Sequence, residues 1–386
     1  MKNTDPIRVG LLFSKTGVTS NQESSQLYGA LFAIDEINGL GGVQGRELAP
    51  VYYDPQSDTA RYKLALERLI LEDNISVIFG GYTSSSRKVM LPVVEKYNKL
   101  LFYPQQYEGF EFSENIIYTG AAPNQNIVQL AKFMTSRFGA RVYMVGSRYV
   151  YPYETNRTMQ SLISADPDSS IVGERYVSLH ASEEAVDEVF EDIKKKKPDF
   201  IFCTLIGNTV PYLYEAFYKA GLSPLTMPIA SLNTSEAEIS IMGAEAAYGH
   251  YTSSPYFQSI DSPLNRSTLE RFFNSRHGER AIPNMNWEAS YFGMHLLAKA
   301  YRHAGSDNPQ DIRQCILGSE IEAPQGRVRI DSSNHHASLY PRIGQANSSG
   351  QFTIVEDSGK RIDPDPYMVR HDWSSDDLLA VSEVGE

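Results

Sequence analysis

Hydrophobic positions along this chain switch repeatedly between two spacings. Residues 7–13 form a short apolar run that predicts a strand, and in 26–38 Leu27, Ala30, Leu31, Ile34 and Ile37 recur at helical spacing. Gly39, Gly41 and Gly42 then stop the helix. Gly45 falls one position late for a GxGxxG phosphate turn, and the cluster follows a helix where that motif would precede one, so no dinucleotide fingerprint is present. The alternation continues with strand 51–53, helix 59–71, strand 75–79, helix 86–97 and strands 100–103 and 116–118. It restarts with helix 126–138, strand 142–145, helix 154–163, strand 171–177, helix 185–196, strand 200–203, helix 211–220 and strand 227–229. Strands alternating with helices predict parallel sheets, and two halves of similar plan predict an α/β protein of two doubly wound lobes.

From about residue 264 the pattern turns helical over 266–276, 288–303 and 309–317, then strand-like over 327–330, 340–344 and 352–355. These pieces are expected to complete both lobes by crossing between them. The expected division is 1–121 with about 256–330 for the first lobe and 122–255 with about 331–362 for the second. Residues 363–386, with Pro364, Pro366 and an acidic end, are expected to form a surface strap.

The length of 386 residues agrees with two or three units at roughly 150 residues each. Hydrophobic residues make up 41% and charged residues 21%, as in ordinary packed proteins. With 35 Lys and Arg against 47 Asp and Glu, the net charge of −12 disfavours nucleic-acid binding. Lys194 to Lys197 end an amphipathic segment, where cations suit a helix C-terminus. Cys203 and Cys315 make neither a disulfide framework nor a metal knuckle. The first residues lack the apolar stretch of about 7 to 15 residues of a secretory signal, which points to the cytoplasm. A trimmed mature form with an added Met would look the same, which keeps a periplasmic or cell-surface origin open. No apolar run approaches the roughly 20 residues of a membrane span, so no membrane insertion is expected.

In open parallel sheets ligands bind outside the carboxyl ends of the strands. The loops there share a composition: residues 80–86 read Gly-Gly-Tyr-Thr-Ser-Ser-Ser, 103–107 Tyr-Pro-Gln-Gln-Tyr, 146–151 Gly-Ser-Arg-Tyr-Val-Tyr, 206–209 Ile-Gly-Asn-Thr and 231–235 Ser-Leu-Asn-Thr-Ser. Tyrosines, hydroxyls and carboxamides at one edge suit a small, neutral, polar ligand. Ser84 to Ser86 also open a helix, where free N–H groups hold a carbonyl or carboxylate oxygen; the alternative is that Ser84 or Ser85 is only an N-cap. With 24 tyrosines in the chain, only the clustering raises these above core or interface residues. GxSxG, HExxH and GxxxxGK[ST] are absent, Cys203 reads as a buried small hydrophobe and His335-His336 as a surface turn. The reading is of a binding protein, with no cofactor, no metal and no catalytic group.

Taken in order, residues 82–88, 103–109, 149–152 and 323–326 resemble the amide- and urea-binding branch of the type I periplasmic-binding-protein family. Residues 11–14, 228–232 and 234–238 are most similar to the cytoplasmic amide sensors of that branch, which negatively regulate amidase operons. The resemblance implies a two-lobed clamshell with three hinge crossings and a ligand pocket in the cleft. It implies Tyr82, Tyr103, Tyr149 and Tyr151 as aromatic walls, Ser84 as the amide's hydrogen-bonding partner and Ile206 as an apolar contact. Gln105, Gln106 and Asn233 depart from the sensor pattern, and Gln106 is similar to the urea- and short-amide-binding transport relatives. The loop 122–126 offers Asn124, Gln125 and Asn126 rather than a carboxylate, which disfavours a zwitterion, although Glu108 and Glu236 stand nearby in sequence.

Three functions follow as expectations. In the first, a short amide or urea-like ligand closes the lobes of a cytoplasmic sensor and releases an RNA-binding transcription antiterminator. In the second, the same pocket serves a solute receptor that delivers urea, a short amide or a branched-chain amino acid to an ABC permease. In the third, an amide is hydrolysed with Cys203 as nucleophile. Association into a homo-oligomer is open to all three.

Overall fold

The structure is a computed structural model that describes residues 5–164 and 167–369. The chain opens with β1 (Ile7–Leu12), α1 (Ser20–Gly39), β2 (Leu48–Tyr53), α2 (Thr59–Leu71), β3 (Val77–Gly80), α3 (Ser84–Lys96), β4 (Leu100–Tyr103) and β5 (Ile116–Tyr118). After a 3₁₀ turn at Pro123–Gln125 come α4 (Ile127–Phe138), β6 (Arg141–Ser147), α5 (Val150–Ile163), β7 (Ser170–Val177), α6 (Glu183–Lys196), β8 (Phe200–Thr204) and α7 (Thr209–Lys219). Next are β9 (Ile229–Ser231), α8 (Glu236–Met242), α9 (Ala244–Ala247), β10 (Tyr251–Ser254), α10 (Pro263–Phe273), α11 (Met285–Ala304) and α12 (Pro309–Ile316). The chain ends in β11 (Glu320–Ala323), β12 (Gly326–Ile330), β13 (Ala337–Ser338), β14 (Arg342–Ala346) and β15 (Phe352–Asp357).

Two sheets repeat one plan. The first has the order β2-β1-β3-β4-β5 and is parallel throughout. The second runs β7-β6-β8-β9-β10 in parallel, with β14 and β15 added antiparallel at the β10 edge. Strand order therefore reverses between β1 and β3 and again between β6 and β8, which are the switch points where such folds leave a crevice. The α/β fold of two parallel-sheet lobes is as the sequence predicts.

Each sheet lies between two apolar cores. In the first lobe, one core joins Val9, Leu11, Phe79 and Phe102 to α1 and α11, and the other joins Leu12, Ile78 and Leu101 to α2 and α3. In α1 the side of Gly29 faces the Trp287 carbonyl so closely that a Cβ would stand 2.3 Å from its oxygen. Caps set the helix starts: Asp58 accepts from the Arg61 N–H, Ser262 from that of Asn265, and Asn284 from those of Asn286 and Trp287. The lysine run does end a helix, with Lys197 as its left-handed C-cap.

Several expectations need correction. Residues 331–338 stay with the first lobe, because β13 pairs with β12 and His336 bridges to Tyr118, so the expected division at 330/331 falls too early. His335 and His336 form no surface turn. His336 is fully buried, stacked 4.0 Å from Tyr118 with its Nε2 2.6 Å from the Tyr107 hydroxyl. The strap packs where it is described: Phe110 N–H donates to the Pro366 carbonyl at 2.8 Å, and Asp365 N–H to Asn124 Oδ1 at 2.7 Å. Residues 370–386 of the expected strap lie outside the described residues. Among the described residues no helix is long and apolar enough to cross a membrane.

Candidate functional site

The connections at the two switch points face each other across the lobes. Tyr82 and Ser84 follow β3, Gln105 and Gln106 follow β4, Tyr149 and Tyr151 follow β6, Ile206 follows β8 and Asn233 follows β9. Tyr149 is half-buried and the others are buried. Contacts join most of them: the Tyr103 hydroxyl donates to the Tyr82 carbonyl at 2.7 Å, and the rings of Tyr149 and Tyr151 are 6.2 Å apart. Burial pushes the phenols of Tyr82, Tyr103, Tyr149 and Tyr151 up, which keeps all four uncharged. These rings are walls with neutral hydroxyls. Ile206 N–H donates to Ser147 Oγ at 3.1 Å, which fixes the turn beside the walls. Gln105 is buried, and its Oε1 meets no hydrogen-bond partner.

Gln106 bridges the lobes. Its Nε2 donates to Asn233 Oδ1 at 2.8 Å and to the Leu232 carbonyl, while its Oε1 accepts from Asn126 Nδ2 at 2.9 Å. The segment 232–238 makes further bonds to the first lobe. Asn21 Nδ2 donates to the Ala237 carbonyl at 3.1 Å, Gln22 Nε2 to Glu238 at 2.5 Å, and Asn284 Nδ2 to Ser235 Oγ at 3.0 Å. One short stretch of the second lobe thus holds the first at α1, at the loop after β4 and at the head of α11. The lobes are closed on each other.

Ser84 is not a cap. Thr83 caps α3, its Oγ1 accepting from the Ser86 N–H, which leaves the N–H groups of Ser84 and Ser85 without a partner inside the helix. The Ser84 hydroxyl donates to Glu108 and accepts from Arg87 Nη1 at 3.1 Å. Arg87 is fully buried, 2.9 Å from Glu108 and 2.7 Å from Glu111, with its guanidinium over the rings of Tyr103 and Tyr107. Sequence reasoning carried Arg87 only as part of a motif, with no role, and did not bring Glu108 to Ser84. The signal available was the i, i+3 spacing of Ser84 and Arg87, which puts both on one face of α3.

The carboxamides of 122–126 split by role. Gln125 Nε2 donates to the Ala337 and Ile362 carbonyls and Asn124 Nδ2 to the Asp363 carbonyl, so these two bind returning segments of the chain rather than face a ligand. Asn126 alone reaches the cleft, through Gln106. Glu236 is buried and takes the Gln258 N–H at 2.9 Å, with burial pushing its carboxyl up to about 7. Cys203 is fully buried, with burial pushing its thiol up to about 12, an inert environment for a nucleophile.

Residues 7–372 match the family described as periplasmic binding protein domain. The chain belongs to that family. Among periplasmic binding proteins, this one is 22% identical over 334 residues to the leucine-, isoleucine-, valine-, threonine- and alanine-binding protein of Pseudomonas aeruginosa, covering 85% of this chain and 86% of the other. A protein named limonene hydroxylase in Geobacillus stearothermophilus is 36% identical over 127 residues, 33% of this chain, and this chain spans only 23% of it. A solute binding protein of an ABC transporter from Rhodopseudomonas palustris HaA2, solved with p-hydroxybenzoic acid, superposes with TM-score 0.83 at 20% identity, covering 95% of this chain and 99% of that one. A branched-chain amino acid transporter substrate binding protein from Streptococcus pneumoniae, solved with isoleucine, gives TM-score 0.78 at 17% identity, covering 93% and 100%. At these identities the superpositions speak for the fold alone.

Proposed function

We propose that this periplasmic binding protein is the solute receptor of an ABC-type uptake system and closes its lobes over a small, uncharged, amide- or urea-like ligand. The observation that carries the reading is the interlobe cleft itself, where neutral phenols and paired carboxamides come from both lobes. Phenol walls exclude water, and hydroxyl and amide groups offer a donor and an acceptor to a ligand that needs both. The names of the relatives favour a receptor working with a permease outside the cytoplasmic membrane over a cytoplasmic regulator acting through an antiterminator. The resemblance of residues 82–88 and 103–109 to amide and urea binders supports the ligand class.

The test is a thermal-shift screen with urea, formamide, acetamide, longer amides, leucine, valine and p-hydroxybenzoate. A ligand that binds only the folded protein raises its melting temperature. Shifts with urea or the amides are expected, and shifts confined to the amino acids or the benzoate would replace the proposed ligand class.

A further inference from the structure

We infer that Glu108 selects the ligand at this site: fixed by Arg87 beside the head of α3, its carboxylate accepts an N–H from the ligand and turns away a ligand carboxylate. The inference rests on the reading of the cleft as the binding site and concerns what the cleft will take.

Left to itself, the head of α3 would welcome an anion, because the Ser84 and Ser85 N–H groups are free inside the helix and a serine hydroxyl could add a third donor. The structure removes that third donor. A hydroxyl has one proton, and that of Ser84 goes to Glu108. The carboxylate is held from behind by Arg87 Nη2 at 2.9 Å, and Arg87 also serves Glu111 at 2.7 Å. The guanidinium is therefore shared between two carboxylates and is not available to a third anion. Glu108 itself also lines a small crevice between the lobes, together with Tyr151, Asn126 and Leu232.

A carboxylate has about four lone-pair positions, and Ser84 and Arg87 fill only part of them. What remains is acceptor capacity one hydrogen bond from the Ser84 hydroxyl, within reach of the second polar atom of a ligand seated on the α3 head. An amide or urea places its carbonyl oxygen on the backbone N–H groups and its NH2 on Glu108. A carboxylate of the same shape places an oxygen against Glu108, and two buried carboxylates in contact repel. A site built to accept an N–H strongly rejects the analogue that lacks it.

The measurement is calorimetric titration of the whole protein with two shape-matched pairs, acetamide against acetate and butyramide against butyrate. The amide is expected to bind at least about 100-fold more tightly than its acid. Glu108→Gln, checked by circular dichroism, is expected to narrow that preference at least about tenfold. Because the pairs are measured on the unaltered protein, the answer does not depend on that variant folding. Acids binding as tightly as their amides, or leucine binding more tightly than either, would overturn the role of Glu108 while leaving the cleft as the site. Failure of all these compounds, urea included, would overturn the reading of the cleft and the selection with it.

Discussion

The side-chain nitrogen of Gln106, in the first lobe, stands 2.8 Å from the side-chain oxygen of Asn233, in the second. The same nitrogen meets the Leu232 carbonyl, and the amide oxygen of Gln106 takes the Asn126 donor. These bonds exist only while the lobes are shut. Gln106→Leu keeps the bulk and leaves the buried Asn126 donor and Asn233 acceptor without this partner, so closure should cost about 1–3 kcal/mol more. Ligand affinity measured by calorimetry is expected to fall roughly 5- to 150-fold, with a larger radius of gyration by small-angle scattering. Unchanged affinity and radius would mean that these bonds are incidental to closure.

Arg87 offers a test of stability, read by denaturant unfolding without ligand. Its guanidinium is fully buried between Glu108 and Glu111 and lies 4.5 Å from the centre of the Tyr107 ring. Arg87→Met fills similar space and strands the buried Glu108 away from water, while Glu111 keeps Lys88 and the Tyr118 hydroxyl, which should cost about 3–5 kcal/mol in denaturant unfolding. Arg87→Met combined with Glu108→Gln removes the stranded charge and is expected to recover much of that loss. A single variant as stable as the parent would show that the cluster is solvated in solution.

The strand and helix alternation up to residue 229 is legible because buried parallel strands are apolar runs and their covering helices are amphipathic. Legibility fails where burial is not written in apolar residues. The first turns of α1 read Ser-Asn-Gln-Glu-Ser-Ser, yet Gln22, Glu23 and Ser25 are buried, because they face the other lobe and polar groups of their own loop rather than an apolar core. β10 reads Tyr-Thr-Ser-Ser, and its hydroxyls carry no strand period. In the site, the tyrosines and carboxamides at strand ends stand out in the sequence, while the Ser84, Arg87 and Glu108 network joins residues 24 positions apart through a loop. The i, i+3 spacing brings Arg87 to Ser84, but nothing in spacing brings Glu108 to either. His336 is the same case: its burial depends on Tyr107 and Tyr118, more than 200 residues earlier.

The pH dependence of stability should carry the mark of Glu288. It is fully buried at the head of α11, accepts from Gln325 Nε2 at 2.7 Å, and burial pushes its carboxyl up to about 8 from an ordinary 4.5. Below 4.5 the folded and unfolded chains both hold this proton. Between 4.5 and about 8 only the folded chain holds it, so the contribution of Glu288 to stability falls as pH rises through that window. Glu288→Gln keeps an acceptor for Gln325 and has no proton to lose. Its melting temperature relative to the parent is therefore expected to climb between pH 5 and pH 9, and a gap that stays constant would mean that Glu288 is already ionised in the folded protein.

Gly207 provides a way to hold the lobes apart without touching a hydrogen bond of the site. It follows Ile206 with φ +64°, and a Cβ built on it would stand 2.5 Å from the Val18 carbonyl oxygen, which belongs to the loop before α1 in the first lobe. That distance is well inside van der Waals contact, and the atom met is backbone, which yields little. Opening the lobes would carry Val18 away and leave the same methyl group clear of the first lobe. Gly207→Ala therefore penalises the closed form through the clash, while the left-handed conformation costs an alanine about 1 kcal/mol in open and closed forms alike. Only the clash acts on closure. Ligand affinity is expected to fall at least about tenfold, while the unfolding temperature without ligand changes by no more than the backbone strain requires. Equal affinity in the variant would place the bound form further open than this structure, with Val18 and Gly207 apart.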